Sequence, residues 1–409
     1  MNGASGLEVA GLSNKAAMEA ALVERAREMV PVLRERAVQA ERERRLPAET
    51  DAAFRDAGFY RALQPARYGG LELEYGAQTA FARELGRGCA SSAWVGGILA
   101  SHGWMIGMFP DEAQVEIWGA DPDVAIATSF LPVGVVVERR GTAGREGLRI
   151  GGRWRFSSGV DWCRWAILLV PVPPPGGEGA PDPVFAIVDL NDCRVEETWN
   201  SAGLNGTGSN DIVVDGIDIP PHRMMYVTAL RGDATPGAEA NDNFIYRLPL
   251  YAVFPFCIIG PALGAARGAL ETVIEDLGSR RPVSGADLTR LATVHQRIGR
   301  ATALVDSADA VVAQIRAGIN SKGRAGEAFG MEERTRYRLN LGHVAQSCCD
   351  AVDTLLPLTG GRGLETTHPM QRAWRDVHAV AQHMGLVWDV QTGLYGNVLF
   401  GHGSPDPKL

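Results

Sequence analysis

Gly151 to Trp165, GGRWRFSSGVDWCRW, packs three tryptophans, a phenylalanine and a Ser157-Ser158-Gly159 turn into fifteen residues of a chain whose aromatic content is 7%. Two hydroxyls at a strand end walled by indoles can seat a flat heteroaromatic ring. The aromatic faces supply stacking area and the hydroxyls reach the ring's polar edge. Taken alone, the same stretch also reads as a β-hairpin whose aromatics fill a core. Histidine is the natural base or donor near neutral pH, and two of the eight histidines stand out. His102 lies in an almost wholly apolar run, ILASHGWMIGM, where a buried imidazole must find a partner. His383 is read on the last helix of the chain. His378 lies five residues before it, about 140° around a helix, so the two cannot enter one pocket.

Other chemistries are poorly supported. GLNGTGSND (Gly203 to Asp211) looks like a glycine-rich nucleotide loop, but a strand-like run, DIVVDGIDI, follows it where a dinucleotide fold needs a helix. There is no Walker motif, so no NAD(P)H or ATP site is expected. The six cysteines show no paired CxxC spacing, which argues against a metal site or a disulfide framework and for a reducing, cytoplasmic setting. A net charge of −8 is unlike a nucleic-acid binder. No apolar run is read as approaching the roughly 20 residues of a membrane span, and residues 1–14 lack a signal-peptide pattern.

The elements that must position these residues fall into three blocks. Residues 1–14 are small and polar and are expected to be disordered. Helical periodicity runs from Lys15 to Arg45. A short helix follows Pro47 and is closed by Gly58; further helices are read from Tyr75 to Arg87 and from Ala90 to Met108. From Val124 to Val227 β-branched and polar residues alternate between Gly and Pro breaks, as in an antiparallel β unit, with Pro171 to Pro183 as a hairpin loop. Four long helices are expected after that: Pro249 to Leu277, Ser284 to Arg316, Met331 to Leu355 and Pro369 to about Phe400. The domains are read as 15–121, 122–230 and 231–409, which suits a chain longer than one core supports.

This order of blocks resembles the acyl-CoA dehydrogenase superfamily. Five phrases resemble its two-component flavin-dependent monooxygenases, of the p-hydroxyphenylacetate hydroxylase type: PARYGGLEL (Pro65 to Leu73), GCASSAWVGGILASHGW (Gly88 to Trp104), GRWRFSSG (Gly152 to Gly159), GTGSNDIVVD (Gly206 to Asp215) and PMQRAWRDVHAVAQH (Pro369 to His383). The resemblance implies an α+β fold: an N-terminal helical domain, a middle antiparallel β domain and a C-terminal four-helix bundle. It also implies an oxygenase component that takes FMNH2 or FADH2 from a separate reductase. O2 would form a flavin C4a-hydroperoxide, which hydroxylates an aromatic, phenolic or hydrophobic polycyclic substrate. In a dehydrogenase a glutamate removes the α-proton; here LYGNV places Gly396 where that glutamate is read, and LPLYAV (Leu248 to Val253) holds no carboxylate. The alternatives are an N-oxygenase acting on an amino group and a dehydrogenase with an atypical base.

By the same resemblance the catalytic residues are His102, His383 and Ser157. Flavin contacts are expected from Ser157, Ser158, Ser129, Thr207 and Ser209 and from Arg280 or Arg281. The substrate pocket is expected to be lined by His102, Trp104, Ser129, Phe130, Phe254 and His383. Arg375 and Asp376 are expected to form an ion pair. Family members imply a homotetramer, with neither nucleic acid nor membrane as partner.

Overall fold

The computed structural model describes residues 6–141, 146–174, 181–232, 235–279 and 287–409. The N-terminal block contains α1 (Gly6–Glu28), α2 (Val30–Glu43), α3 (Ala48–Ala57), α4 (Ala77–Gly86), α5 (Ala90–Ile106) and α6 (Asp111–Trp118). Helix α1 begins inside the stretch expected to be disordered. The single helix read from Lys15 to Arg45 is two, because Pro31 sits at the start of α2, where its missing N–H costs nothing. Gly58 closes α3 as expected, at φ 80°, returning its N–H to Arg55 O. All 17 residues of α5 are buried. A helix that is apolar on every side belongs in a core.

Among the described residues the middle block has eight strands: β1 (Ile126–Ser129), β2 (Leu131–Arg140), β3 (Gly147–Ser157), β4 (Trp165–Val172), β5 (Asp182–Asp189), β6 (Arg194–Glu196), β7 (Asn210–Ile219) and β8 (Met224–Tyr226). They form two four-stranded sheets, ordered β1-β4-β5-β8 and β2-β3-β7-β6. The chain passes from one sheet to the other at Phe130. Pairing is antiparallel as expected except between β1 and β4, which run parallel, Ile126 facing Trp165. Between the sheets Ala166, Leu168, Val170, Ala186 and Val188 meet Ile150, Trp154, Ile212 and Val214. The alternate residues Trp165, Ile167, Phe185 and Ile187 join the helical core instead. Burial on both faces explains why WAILLVPV is an unbroken apolar run.

The C-terminal block comprises α7 (Leu250–Val253), α8 (Gly260–Ser279), α9 (Ala292–Ala325), α10 (Met331–Leu355), α11 (Pro369–Ala381) and α12 (Trp388–Leu399). The fourth expected helix is therefore two, parted by the turn Gln382–Val387. The first is interrupted around Phe254–Ile258, where Pro255 forces a 3-10 turn. The stretch Leu250–Ser279 is in fact long and apolar enough to cross a membrane, which corrects the reading of no such run; 94% of its most apolar window is buried, as suits a core helix.

Candidate active site

The end of β3 and helix α5 meet at the Ser157-Ser158-Gly159 turn, and Trp94 of α5 also reaches the turn between α11 and α12. Phe156 has φ +64°, rare for a non-glycine residue, and its ring is exposed beside Trp199 at 5.9 Å. Ser157 next to it is fully buried, and its Oγ has no hydrogen-bond partner among the described residues. Leaving such a hydroxyl unpaired costs about 1–3 kcal/mol.

Ser158 is the opposite case. Trp94 Nε1 donates to Ser158 Oγ at 3.0 Å, Ser158 Oγ lies 2.8 Å from Ser209 Oγ, and Ser209 Oγ lies 2.7 Å from Thr207 Oγ1. Thr207 in turn donates to Leu204 O at 2.9 Å. Fixed at both ends, the chain has one polarity, and every hydroxyl proton in it is spent. Ser158, Thr207 and Ser209 therefore hold the turn together with their hydroxyls. Ser129 is also committed, donating to Arg155 O at 2.5 Å across the β1–β2 corner.

His102 is fully buried, with Nδ1 2.6 Å from Ile126 O and Nε2 2.9 Å from Thr128 Oγ1. A carbonyl can only accept, so Nδ1 carries the proton and Nε2 accepts from the threonine. Burial lowers the imidazole pKa to about 4. The sequence reading chose Ser129 in IATSF, but its neighbour Thr128 is the residue that meets the histidine. Strand alternation could have separated them, since adjacent residues face opposite ways.

His383 lies in the α11–α12 turn, not on a helix. Its Nδ1 accepts from Gly385 N at 3.1 Å, its ring stands 5.9 Å from Trp94, and Nε2 has no hydrogen bond among the described residues. Burial, followed by the nearby Arg338 charge, lowers its pKa to about 4. His378 faces elsewhere, with Nδ1 2.8 Å from Trp374 O and its ring stacked on Trp374 at 4.5 Å. Trp94, which no motif singled out, thus bridges the serine turn and His383.

The aromatic wall is partly as expected. Phe130 lies 5.2 Å from Phe254 and 5.2 Å from Phe185, and Tyr251 stacks on Phe185 at 6.2 Å. Trp104 does not belong to this wall, which corrects the sequence reading. It lies about 200° around α5 from His102, where it donates to Ile245 O at 2.6 Å and packs on Tyr75. Arg280 and Arg281 lie outside the described residues. Among the described residues of this chain, Arg375 and Asp376, expected as a structural or intersubunit ion pair, do not pair with each other. Arg375 pairs with Glu41 at 2.5 Å, while buried Asp376 accepts from Leu204 N at 2.6 Å; burial raises its pKa to about 6. A Cβ at Gly396 would meet nothing within 4 Å, so that position does not face a packed pocket. The turn Gln382–Val387, which does face the site, carries no carboxylate. A dehydrogenase base is missing from both places.

Comparison with known proteins agrees with this geometry. Residues 17–121 match the acyl-CoA dehydrogenase N-terminal domain, and residues 256–388 match the acyl-CoA dehydrogenase C-terminal domain. The chain is 33% identical over 393 residues to the oxygenase component of an FADH(2)-dependent resorcinol hydroxylase from Rhizobium sp. (strain MTP-10005), covering 93% of this chain and 94% of that one. It is 32% identical to HsaA, the oxygenase subunit of a flavin-dependent monooxygenase from Rhodococcus jostii (strain RHA1), covering 91% and 96%. Among solved structures it resembles XiaF from Streptomyces sp. in complex with FADH2 and glycerol, with a TM-score of 0.86 at 27% identity over 97% and 99% of the two chains.

Proposed function

The chain belongs to the flavin-dependent oxygenase components of the acyl-CoA dehydrogenase superfamily, and we propose that it hydroxylates an electron-rich aromatic ring. One atom of O2 enters the ring, the other leaves as water, and reduced flavin from a separate reductase returns oxidised. The buried, unpartnered Ser157 hydroxyl carries this reading of the site. It ends β3, one residue before the Ser158 that Trp94 holds, where the polar edge of a flat ring would satisfy it, and the residues present fit a flavin.

Bound reduced flavin, FMNH2 or FADH2, supplies the activation of O2. The chain supplies donors, orientation and dryness. Ser157 would hydrogen-bond the edge of the flavin ring. His383 is neutral at pH 7 and offers its Nε2 to a phenolic proton, which enriches the ring where oxygen is delivered. His102 acts through Thr128, whose position it fixes. Ser158, Thr207 and Ser209 shape the cofactor seat by backbone placement, and Ser129 holds the sheet corner beside Phe130. Phe130 and Phe254 wall the substrate. Leu364, Met384, Leu399 and Phe400 are 72%, 67%, 57% and 78% exposed, and such apolar surface on the helical block supports a homotetramer. All six cysteines are free thiols, in keeping with a cytoplasmic enzyme.

The test is anaerobic loading with FADH2, then rapid mixing with O2 with and without resorcinol. The expected result is slow, multiphasic reoxidation of the bound flavin and an oxygenated product. Immediate reoxidation that yields only hydrogen peroxide, with every aromatic tried, would overturn the proposal.

A further inference from the structure

Other deeply buried tyrosine hydroxyls in this chain are paired. Tyr60 donates to Asp51 at 2.8 Å, Tyr75 to Val253 O at 2.8 Å and Tyr246 to Leu63 O at 3.0 Å. Tyr251 departs from that rule: its hydroxyl is buried and has no partner among the described residues. The ring stands at the start of α7, stacked on Phe185 at 6.2 Å and 6.3 Å from Phe130. Phenylalanine would fill the same space without stranding a hydroxyl, so packing alone does not account for the tyrosine.

A second unpaired group borders the same place. Arg338 on α10 is 5% exposed. Its Nη1 donates to Tyr251 O at 3.0 Å and its Nε to Gln391 Oε1 at 3.0 Å. No carboxylate lies within ion-pair distance of it among the described residues. Arg372, the other deeply buried arginine among the described residues, pairs with Glu41 at 3.2 Å. Groups of several elements sense the Arg338 charge or border it: His383 from the α11–α12 turn, Tyr251 from α7 through its backbone oxygen, and Asp406 from the C-terminal tail, whose charge also reaches the Tyr251 hydroxyl. Asp406 is paired with Lys408 at 3.3 Å, and Lys408 Nζ stands 5.5 Å over the Tyr251 ring. A buried guanidinium whose direct hydrogen bonds go only to neutral oxygens leaves positive potential with no counter-charge in contact.

We propose that Tyr251 is the specificity-determining donor of the substrate pocket. Its hydroxyl hydrogen-bonds an oxygen carried by the aromatic substrate at the end walled by Phe130 and Phe185, and Arg338 favours that oxygen as an anion. The anionic oxygen is a ring phenolate or a carboxylate substituent. This rests on the aromatic-hydroxylase reading above and names the class of substrate within it.

The experiment compares the parent and Tyr251→Phe, loaded with FADH2 under anaerobic conditions, in two readouts. One is melting temperature without substrate. The other is equilibrium dialysis against resorcinol, 4-hydroxyphenylacetate and indole, the last of which carries no oxygen. The variant is expected to melt at or above the parent temperature, to bind both oxygen-bearing probes about tenfold more weakly, and to bind indole unchanged. Melting several degrees lower, unchanged affinity for the oxygen-bearing probes, or an equal loss for indole would each overturn the assignment to Tyr251. For the charge, the parent and Arg338→Gln are titrated with 4-nitrophenol and 4-hydroxyphenylacetate. A bound nitrophenol that ionises at lower pH than when free identifies the phenolate. A preference for 4-hydroxyphenylacetate over resorcinol that weakens in the variant identifies the carboxylate. A parent that shows neither effect overturns the role given to Arg338, and it does so without the variant having to fold. These measurements involve no O2, so failure of the oxygen chemistry in the parent would count against the hydroxylase reading separately.

Discussion

Ser157 and Ser158 are adjacent hydroxyls with opposite energetic roles, and substitution should separate them. Removing the stranded Ser157 oxygen relieves a buried, unpaired group, so Ser157→Ala should unfold at an equal or higher denaturant midpoint, by up to about 1 kcal/mol. Its turnover should nonetheless become uncoupled, releasing more peroxide per product formed. Ser158→Ala breaks a polarised chain and strands Trp94 Nε1, which should cost about 1–3 kcal/mol in the same unfolding assay. A Ser157→Ala variant as destabilised as Ser158→Ala would count against the cofactor role of Ser157. The aromatic density and the paired hydroxyls were legible in the sequence, and they led to the turn on which the proposed site is built. Which hydroxyl is free was not legible. Ser158 is satisfied by Trp94, 64 positions away, and by Ser209, 51 positions away, and local patterning carries no information about such partners. Trp104 misled for a related reason: in an all-apolar helix, composition gives no sign of which face meets the pocket.

At the scale of elements, the turn that carries His383 was the largest omission. Pro369 to Phe400 keeps a helical pattern, with Gly385 as its main local blemish, so it reads as one helix. Tertiary contact breaks it. A Cβ on Gly385 would fall 2.9 Å from Pro255 Cγ and 3.3 Å from His383 Nδ1, so the chain can pass this close to the 3-10 turn Phe254–Ile258 only without a side chain. Gly385→Ala should therefore displace the turn, and with it the hydrogen bond that aims the imidazole. The expected outcome is a fall in kcat of about tenfold or more, since misplacement on the scale of an ångström is costly, with retained flavin affinity by fluorescence titration. Wild-type kcat in this variant would show that the position of His383 does not matter. Elements with strong local signals were read well: α3 with its Gly58 cap, the apolar α5, and a β block whose both-face burial shows as WAILLVPV. The parallel pairing of β1 with β4 was not legible, because a four-residue strand carries no signal of its direction relative to a neighbour.

For the whole molecule, two buried titratable groups, His102 and Asp376, and the half-buried His383 contribute an acid response whose sign can be worked out. His102 and His383 are both held near a pKa of about 4, against about 6.5 in an unfolded chain. Below pH 6.5 the unfolded state takes up protons that the folded state refuses, so stability is complete above 6.5 and is lost progressively down to 4, by about 1.4 kcal/mol per pH unit for each histidine. Asp376 works the other way. Its pKa is raised to about 6, so between the ordinary aspartate value of about 3.9 and 6 the folded state holds the extra proton and stability rises as pH falls. The aspartate thus offsets roughly one histidine across that window. Asp376→Asn keeps an oxygen to accept from Leu204 N and removes the buried charge. It should be more stable than the parent at pH 7 by about 2–3 kcal/mol, with the advantage shrinking to nothing as pH approaches 4. Urea unfolding of both proteins at pH 7, 5.5 and 4.5 checks this directly. A constant difference across the three would mean that the aspartate matters to α11 and the Leu204 loop through shape alone, because only a titrating charge can make the gap between the two proteins close on acidification.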